Sequence, residues 1–326
     1  MSVAEPSTWA FPASLQPSPD EAGFDLDAAL DAVVLLRADI PEDAFTAPIL
    51  GTVRAGNGVV IRDDGLVVTI GYLITEAEKI WLTTNRGTVV QGHALAYDQR
   101  TGFGLVQPLG SLGVRPLGRA PAASVNTNAD VVVIGHGGRP HSLKAKIIAK
   151  REFAGYWEYV LDEALFTAPA HPQWGGAALV GRDGRLLGIG SLLVQESVAG
   201  KAVDGNMFVP IDLLAPILDE LLTLGRVSAA PRAWLGIYTA EMEGRLVIGG
   251  LAPGGPAERA GAMLGDLILE VAGEPVTGLA AMFRRIWSIG PAGSEITLTL
   301  SRRGASSQIR IRSADRNDFL KKPRLH

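Results

Sequence analysis

The chain has 326 residues, 47% hydrophobic and 20% charged, with a formal net charge of -4 and no cysteine. That length suggests two domains with packed cores, and it argues against wholesale disorder. Disulfides, thiolate metal sites and cysteine nucleophiles are excluded, and the weakly acidic balance gives no general attraction to nucleic acid.

Residues 1–24 are rich in Pro, Ser and Glu and read as a flexible arm. Within it, Trp9 and Phe11 would pack either on their own domain or on another subunit. Residues 25–42 hold a short helix signal and then an apolar run, Ala32 to Leu36. From Gly58 to Thr69, β-branched runs flank the turn pair Asp64-Gly65, the pattern of a hairpin. Short strands are predicted at 79–84, 88–96, 103–107, 129–134, 144–152, 159–161, 177–180, 186–194 and 206–209. Such spacing without long intervening helices predicts antiparallel barrels or sandwiches. A helix over 210–224 ends at Gly225. These elements make a first domain over 25–226, and 227–231 read as a linker.

Residues 232–312 have a different texture. Trp234–Ile237 and Leu246–Leu251 read as strands, Pro256–Ala260 as a short helix and Asp266–Val271 as a strand. A helix is predicted over Leu279–Ile289, with Met282, Phe283, Ile286 and Ile289 on one apolar side. Residues 295–302 and 308–312 pair as a last hairpin around Arg303-Gly304. The end, 313–326, reads as a charged peripheral tail whose basic Lys321–Arg324 is a solvated terminus.

Three stretches of the first domain are similar, in order and spacing, to the HtrA/DegP family of trypsin-like serine proteases. They are Gly56–Thr69, Tyr97–Thr101, and Gly175-Gly176 followed by Asp183-Gly184 and Leu187–Ile189. In the second domain, Trp234-Leu-Gly-Ile237, Pro253–Gly261, Leu264–Asp266 and Val271–Val276 resemble the PDZ domain that follows the protease in that family. The resemblance implies a mainly β chain: a chymotrypsin-like double β-barrel followed by an α+β PDZ domain.

It also implies where a catalytic triad would lie. The base position falls on Tyr72, the orienting acid on Gly102 and the nucleophile on Trp174, while one oxyanion donor position falls on Pro172, which has no N–H. A phenol titrating near 10 is a poor proton shuttle, glycine has no side chain, and an indole offers only an N–H donor. The expectation is therefore a pseudoprotease, an inactive relative that is not an enzyme. It would act as a scaffold, adaptor or chaperone, with no cofactor. Alternatives are an active serine endopeptidase with a rearranged site, and a metal-binding pseudoprotease using His136 and His171, weak candidates as ligands because loop hydrogen bonds are the favoured account of both.

A PDZ domain adds a peptide as a strand and caps its terminal carboxylate with backbone N–H groups. The resemblance assigns that role to Trp234, Leu235, Gly236 and Ile237, with Met282 and Ile286 lining a side-chain pocket or serving as core. The expected partners are protein or peptide C-termini. Homo-oligomers, including a trimer, or membership of a larger complex are implied by the family, with no nucleic acid partner. No run of about 18 apolar residues occurs, so no membrane span is predicted. The start lacks a basic region followed by an apolar stretch, which predicts a cytoplasmic location, or a periplasmic one if residues were trimmed from the front.

Overall fold

Short apolar runs alternating with polar residues, each stopped by a glycine-bearing turn, favour strands with one buried face. In the computed structural model, which describes residues 9–198 and 200–321, they close into two barrels and a smaller sheet. The first barrel contains β1 (Val33–Asp39), β2 (Val53–Val60), β3 (Val67–Ile70), β4 (Lys79–Thr83), β5 (Val89–Tyr97) and β6 (Phe103–Pro108), in the order β1-β2-β3-β6-β5-β4. β4 shows the period plainly: Ile80 and Leu82 are buried, while Lys79 and Trp81 face out. Val34, Leu36, Val68 and Leu105 complete an interior closed to solvent.

The second barrel contains β7 (Asp130–Ile134), β8 (Ser142–Gly155), β9 (Tyr159–Ala168), β10 (Ala178–Val180), β11 (Leu186–Val198) and β12 (Lys201–Pro210), ordered β10-β11-β12-β9-β8-β7. Val133, Leu143, Ile147, Leu165 and Phe208 fill it. Three short helices decorate the barrels: α1 (Pro19–Ala22), α2 (Leu26–Asp31) and α3 (Ala47–Leu50). The Asp25 carboxylate caps α2 by accepting the Ala28 N–H at 3.0 Å.

Two local expectations are corrected here. Residues 210–224 do not form one helix: 211–213 make a 3-10 turn, and α4 (Leu218–Leu224) begins later. Pro216 removes a backbone donor and disfavours helical geometry at Ala215. The arm is not free over 9–24. The Phe11 N–H donates to Pro140 O (2.9 Å), the Lys144 N–H donates to Leu15 O (2.8 Å), and Trp9 and Phe11 sit edge-on to His171. Half-burying two aromatic rings helps to offset the entropy of ordering the segment. Residues 1–8 lie outside the described residues.

The smaller sheet contains β13 (Ile237–Met242), β14 (Arg245–Leu251), β15 (Leu267–Val271), β16 (Glu274–Pro275), β17 (Glu295–Arg302) and β18 (Ala305–Arg312). Its order is β13-β14-β15-β17-β18, with β16 beside β15. Helices α5 (Pro256–Arg259) and α6 (Leu279–Ile289) close its core, where Ile248, Phe283, Ile286, Leu298 and Ile311 meet. Buried Asp266 holds its turn by accepting the Met263 N–H (2.8 Å) and pairing with Arg302 (2.7 Å). Residues 234–236 are not in a strand, which begins only at Ile237. Gly236 takes φ 75, a left-handed conformation that interrupts extension, and Trp234 makes an isolated bridge to Ala314. That bridge, with Phe319 edge-on to Trp234, ties down the tail as far as Lys321; Lys322–Arg324 and the rest lie outside the described residues.

The chain divides into two compact units. One contains the residues up to Arg151 and Glu163–Val227; the other contains Glu152–Asp162 and Ser228–Lys321. The tip of the β8–β9 hairpin thus belongs with the smaller sheet, which the expected boundary at 227–231 did not anticipate.

Candidate functional site

In the double-barrel unit, β3 ends in a 3-10 turn, Gly71–Leu73, that carries Tyr72. The Gly71 N–H donates to Gly102 O at 2.7 Å, which seats the Gly102 loop beside that turn. The segment bearing Trp174 is held by buried Asn57. Asn57 Nδ2 donates to Gln173 O (2.8 Å) and Gly175 O (3.1 Å), its N–H donates to Gly175 O (2.8 Å), and its Oδ1 accepts the His136 N–H (2.8 Å). Gly176 sits at φ 74, where an added Cβ would lie 1.8 Å from Asn57 O, so glycine is required. The fold thereby brings Tyr72, Gly102 and Trp174 to one place between the barrels.

There Tyr72 Oη donates to Ser191 O at 2.8 Å, and the Trp174 side chain hydrogen-bonds the phenol. Burial pushes the phenol far above its ordinary range, only partly offset by the Trp174 contact. At pH 7 it remains a neutral donor. Pro172 adds no N–H. Among the hydrogen bonds of the described residues, none joins a serine hydroxyl to a histidine ring.

Arg54 was missed by sequence reading. It is buried on β2, and its Nη1 donates to Tyr72 O (2.7 Å) and Thr75 O (3.0 Å), while Nη2 donates to Thr46 Oγ1 (2.7 Å). Burial pulls its pKa down to about 10, against the opposing pull of Glu76. A lone charged residue inside β2 was the available signal.

His171 and His136 stand in different surroundings. His171 is fully buried: its Nε2 lies 2.9 Å from His141 O, its Nδ1 accepts the Gln173 N–H at 3.0 Å, and burial lowers its pKa to about 4. Both ring nitrogens are thus committed, which leaves no lone pair for a metal. His136 is also lowered by burial, and its Nε2 is buried without a hydrogen bond.

In the second unit, the loop before β13 presents the N–H groups of Leu235, Gly236 and Ile237 to one point. β13 is an edge strand, and α6 lies nearby, with the Leu279 N–H donating to Glu241 Oε2 at 3.2 Å. Trp234 points away, against Phe319. Met282 and Ile286 are each 1% exposed and belong to the core cluster, so as the chain stands they line no open pocket.

Converging amides beside an edge strand and a helix, after a double barrel of this topology, define a trypsin-like peptidase fold joined to a PDZ domain. Residues 56–189 match the trypsin-like peptidase domain family, and residues 247–302 match the PDZ domain family. Across both matched segments the chain is similar to serine endoproteases of the DegP-like and DegS types. It is 25% identical over 279 residues to the probable periplasmic serine endoprotease DegP-like of Halomonas elongata, covering 82% of this chain and 57% of that one. It is 27% identical over 275 residues to the serine endoprotease DegS of Escherichia coli, covering 76% and 73%. The chain therefore spans little more than half the length of its DegP-like relatives. Its fold matches the HtrA-type protease AlgW with decapeptide, with a TM-score of 0.54, 18% identity, and coverage of 94% of this chain and 100% of that one.

These names correct two expectations. The relatives are serine endoproteases, which overturns the expectation that this chain is not an enzyme. The DegP-like relatives are named periplasmic, which overturns the expected cytoplasmic location.

Proposed function

We propose that this chain recognises extended protein segments and C-termini through its PDZ unit, by strand addition to β13 with the carboxylate held at Leu235–Ile237. The observation that supports it is the set of three backbone N–H groups aimed at one point beside an edge strand, the donor arrangement that carboxylate capture needs. Gly236 at φ 75 allows that convergence. Assembly into homo-oligomers, as an HtrA-type scaffold or chaperone, is part of this reading. The test is a C-terminal peptide array probed with the full chain and with a Gly236→Val variant. Capture of peptides with free hydrophobic C-termini, lost in the variant, supports it; no C-terminal ligand at all would count decisively against it.

A second reading, endopeptidase action on the captured proteins, is favoured by the relatives' names. Tyr72, Gly102 and Trp174 stand where the resemblance puts base, acid and nucleophile, so hydrolysis on this chain would use a rearranged set. A fluorophosphonate probe tests this directly. Covalent labelling of one serine, abolished by its substitution, would establish that set.

A further inference from the structure

The amides of Leu235, Gly236 and Ile237 are already occupied. The buried Glu158 carboxylate accepts all three: Leu235 N–H at 3.1 and 3.0 Å, Gly236 N–H at 2.7 Å and Ile237 N–H at 3.1 Å. Two residues earlier, Tyr156 O accepts the Thr239 N–H of β13 at 3.0 Å. A carboxylate in the loop, with a carbonyl two residues back on the edge strand, is the bonding pattern of a peptide added as a strand. Val160, from the same tip, is buried in the cluster that contains Met282 and Ile286.

The tip is built for this pose. Glu158 sits at φ 62, a left-handed conformation rare for a non-glycine residue and costly unless its surroundings hold it. Trp157 stacks on Tyr159 and folds over Gly155, where any Cβ would meet the indole at 2.6 Å. Tyr156 packs edge-on to Tyr238 of β13. On α6, Arg284 pairs with Glu152 and, at 2.5 Å, with Asp162, clamping both stems of the tip.

We propose that residues 156–158 are an internal peptide mimic that occupies the PDZ groove, with Glu158 standing in for a ligand's terminal carboxylate, so that protein C-termini bind only by displacing it. This rests on the peptide-recognition reading above. An occluded groove lowers apparent affinity by the fraction of molecules in which it is open. Ligands must therefore supply a free carboxylate and a backbone able to pair with β13.

The experiment compares the full-length chain with Glu158→Ala and Glu158→Gln, all checked for unchanged circular dichroism. One readout is hydrogen exchange at the amides of 235–237 and 239. The other is the anisotropy of a fluorescein-labelled decapeptide ending in a hydrophobic residue with a free carboxylate. The expected result is strong protection in the wild type, protection lost in Glu158→Ala, and peptide binding at least tenfold tighter in that variant. Glu158→Gln, which keeps an acceptor and the packing of the tip, falls between the two and serves where the alanine variant does not fold. Amides that exchange alike in all three chains overturn the internal mimic. Lost protection with no peptide binding leaves the mimic in place and sinks the peptide-recognition reading instead.

Discussion

His171 is an imidazole kept neutral inside the second barrel. Its folded pKa of about 4 lies below the ordinary 6.5, mainly because burial penalises the charged form, while its bond to the His141 carbonyl pulls the other way. Between those two values the unfolded chain binds the extra proton. Its contribution is therefore complete above about pH 6.5 and is lost as pH falls toward 4, worth about 3 kcal/mol in all. His136 and His141, also lowered by burial, act in the same direction. Urea unfolding at pH 7.5 and 4.5 should show this loss, and His171→Gln should shrink the slope by the equivalent of one proton; an unchanged slope refutes the assignment. Glu158 has the opposite sign. Burial raises its carboxyl to about 7 despite the three amides and the positive charge of Arg316, with Tyr238 the titratable group facing it from β13. A raised pKa in the docked state means that docking is strongest in acid and weakens as pH climbs from about 4.5 to 7. Affinity for the labelled decapeptide should rise between pH 5 and 8 in the wild type and stay flat in Glu158→Ala.

At the scale of elements, the segment bearing Trp174 is a turn shaped by glycine. Gly176→Ala would drive a methyl into Asn57 O from a left-handed backbone, with an expected cost of roughly 2–4 kcal/mol in thermal or urea unfolding. Asn57→Ala removes a side chain that bridges β2 to Gln173, Gly175 and His136, leaving the part-buried Gln173 carbonyl and His136 N–H without that partner. A loss of about 2–3 kcal/mol is expected, readable as a lower urea midpoint. Sequence patterning found most strands because period-2 burial is local. It failed at 234–236, where a positive φ at Gly236 delays the strand to Ile237, and at 210–224, where Pro216 delays the helix.

On the whole-molecule scale, two domains and a strand-rich first part were legible from length, turn pairs and strand spacing, while the double barrel and the α+β second unit were implied by the family resemblance. The interest of Tyr72, Gly102, Trp174 and the loop at 234–237 came from that resemblance and not from spacing or periodicity. The partner of that loop was not legible. Glu158 lies 77 residues before Leu235, in a short run between two predicted strands, and nothing local marks it. Whether the chain retains peptidase chemistry will be read from fluorophosphonate labelling, since the relatives are named endoproteases while position 174 offers an indole.

Sequence by itself determined the periodicities, the absence of cysteine and the identity of the groups at each motif position, because these depend on neighbours along the chain. Tertiary structure alone decided that Asn57 ties the Trp174 segment to the first barrel, that Arg54 is buried beneath Tyr72, and that Glu158 of the 152–162 segment meets the amides of 235–237. Each of these joins residues far apart in sequence, and their geometry exists only once the cores have packed.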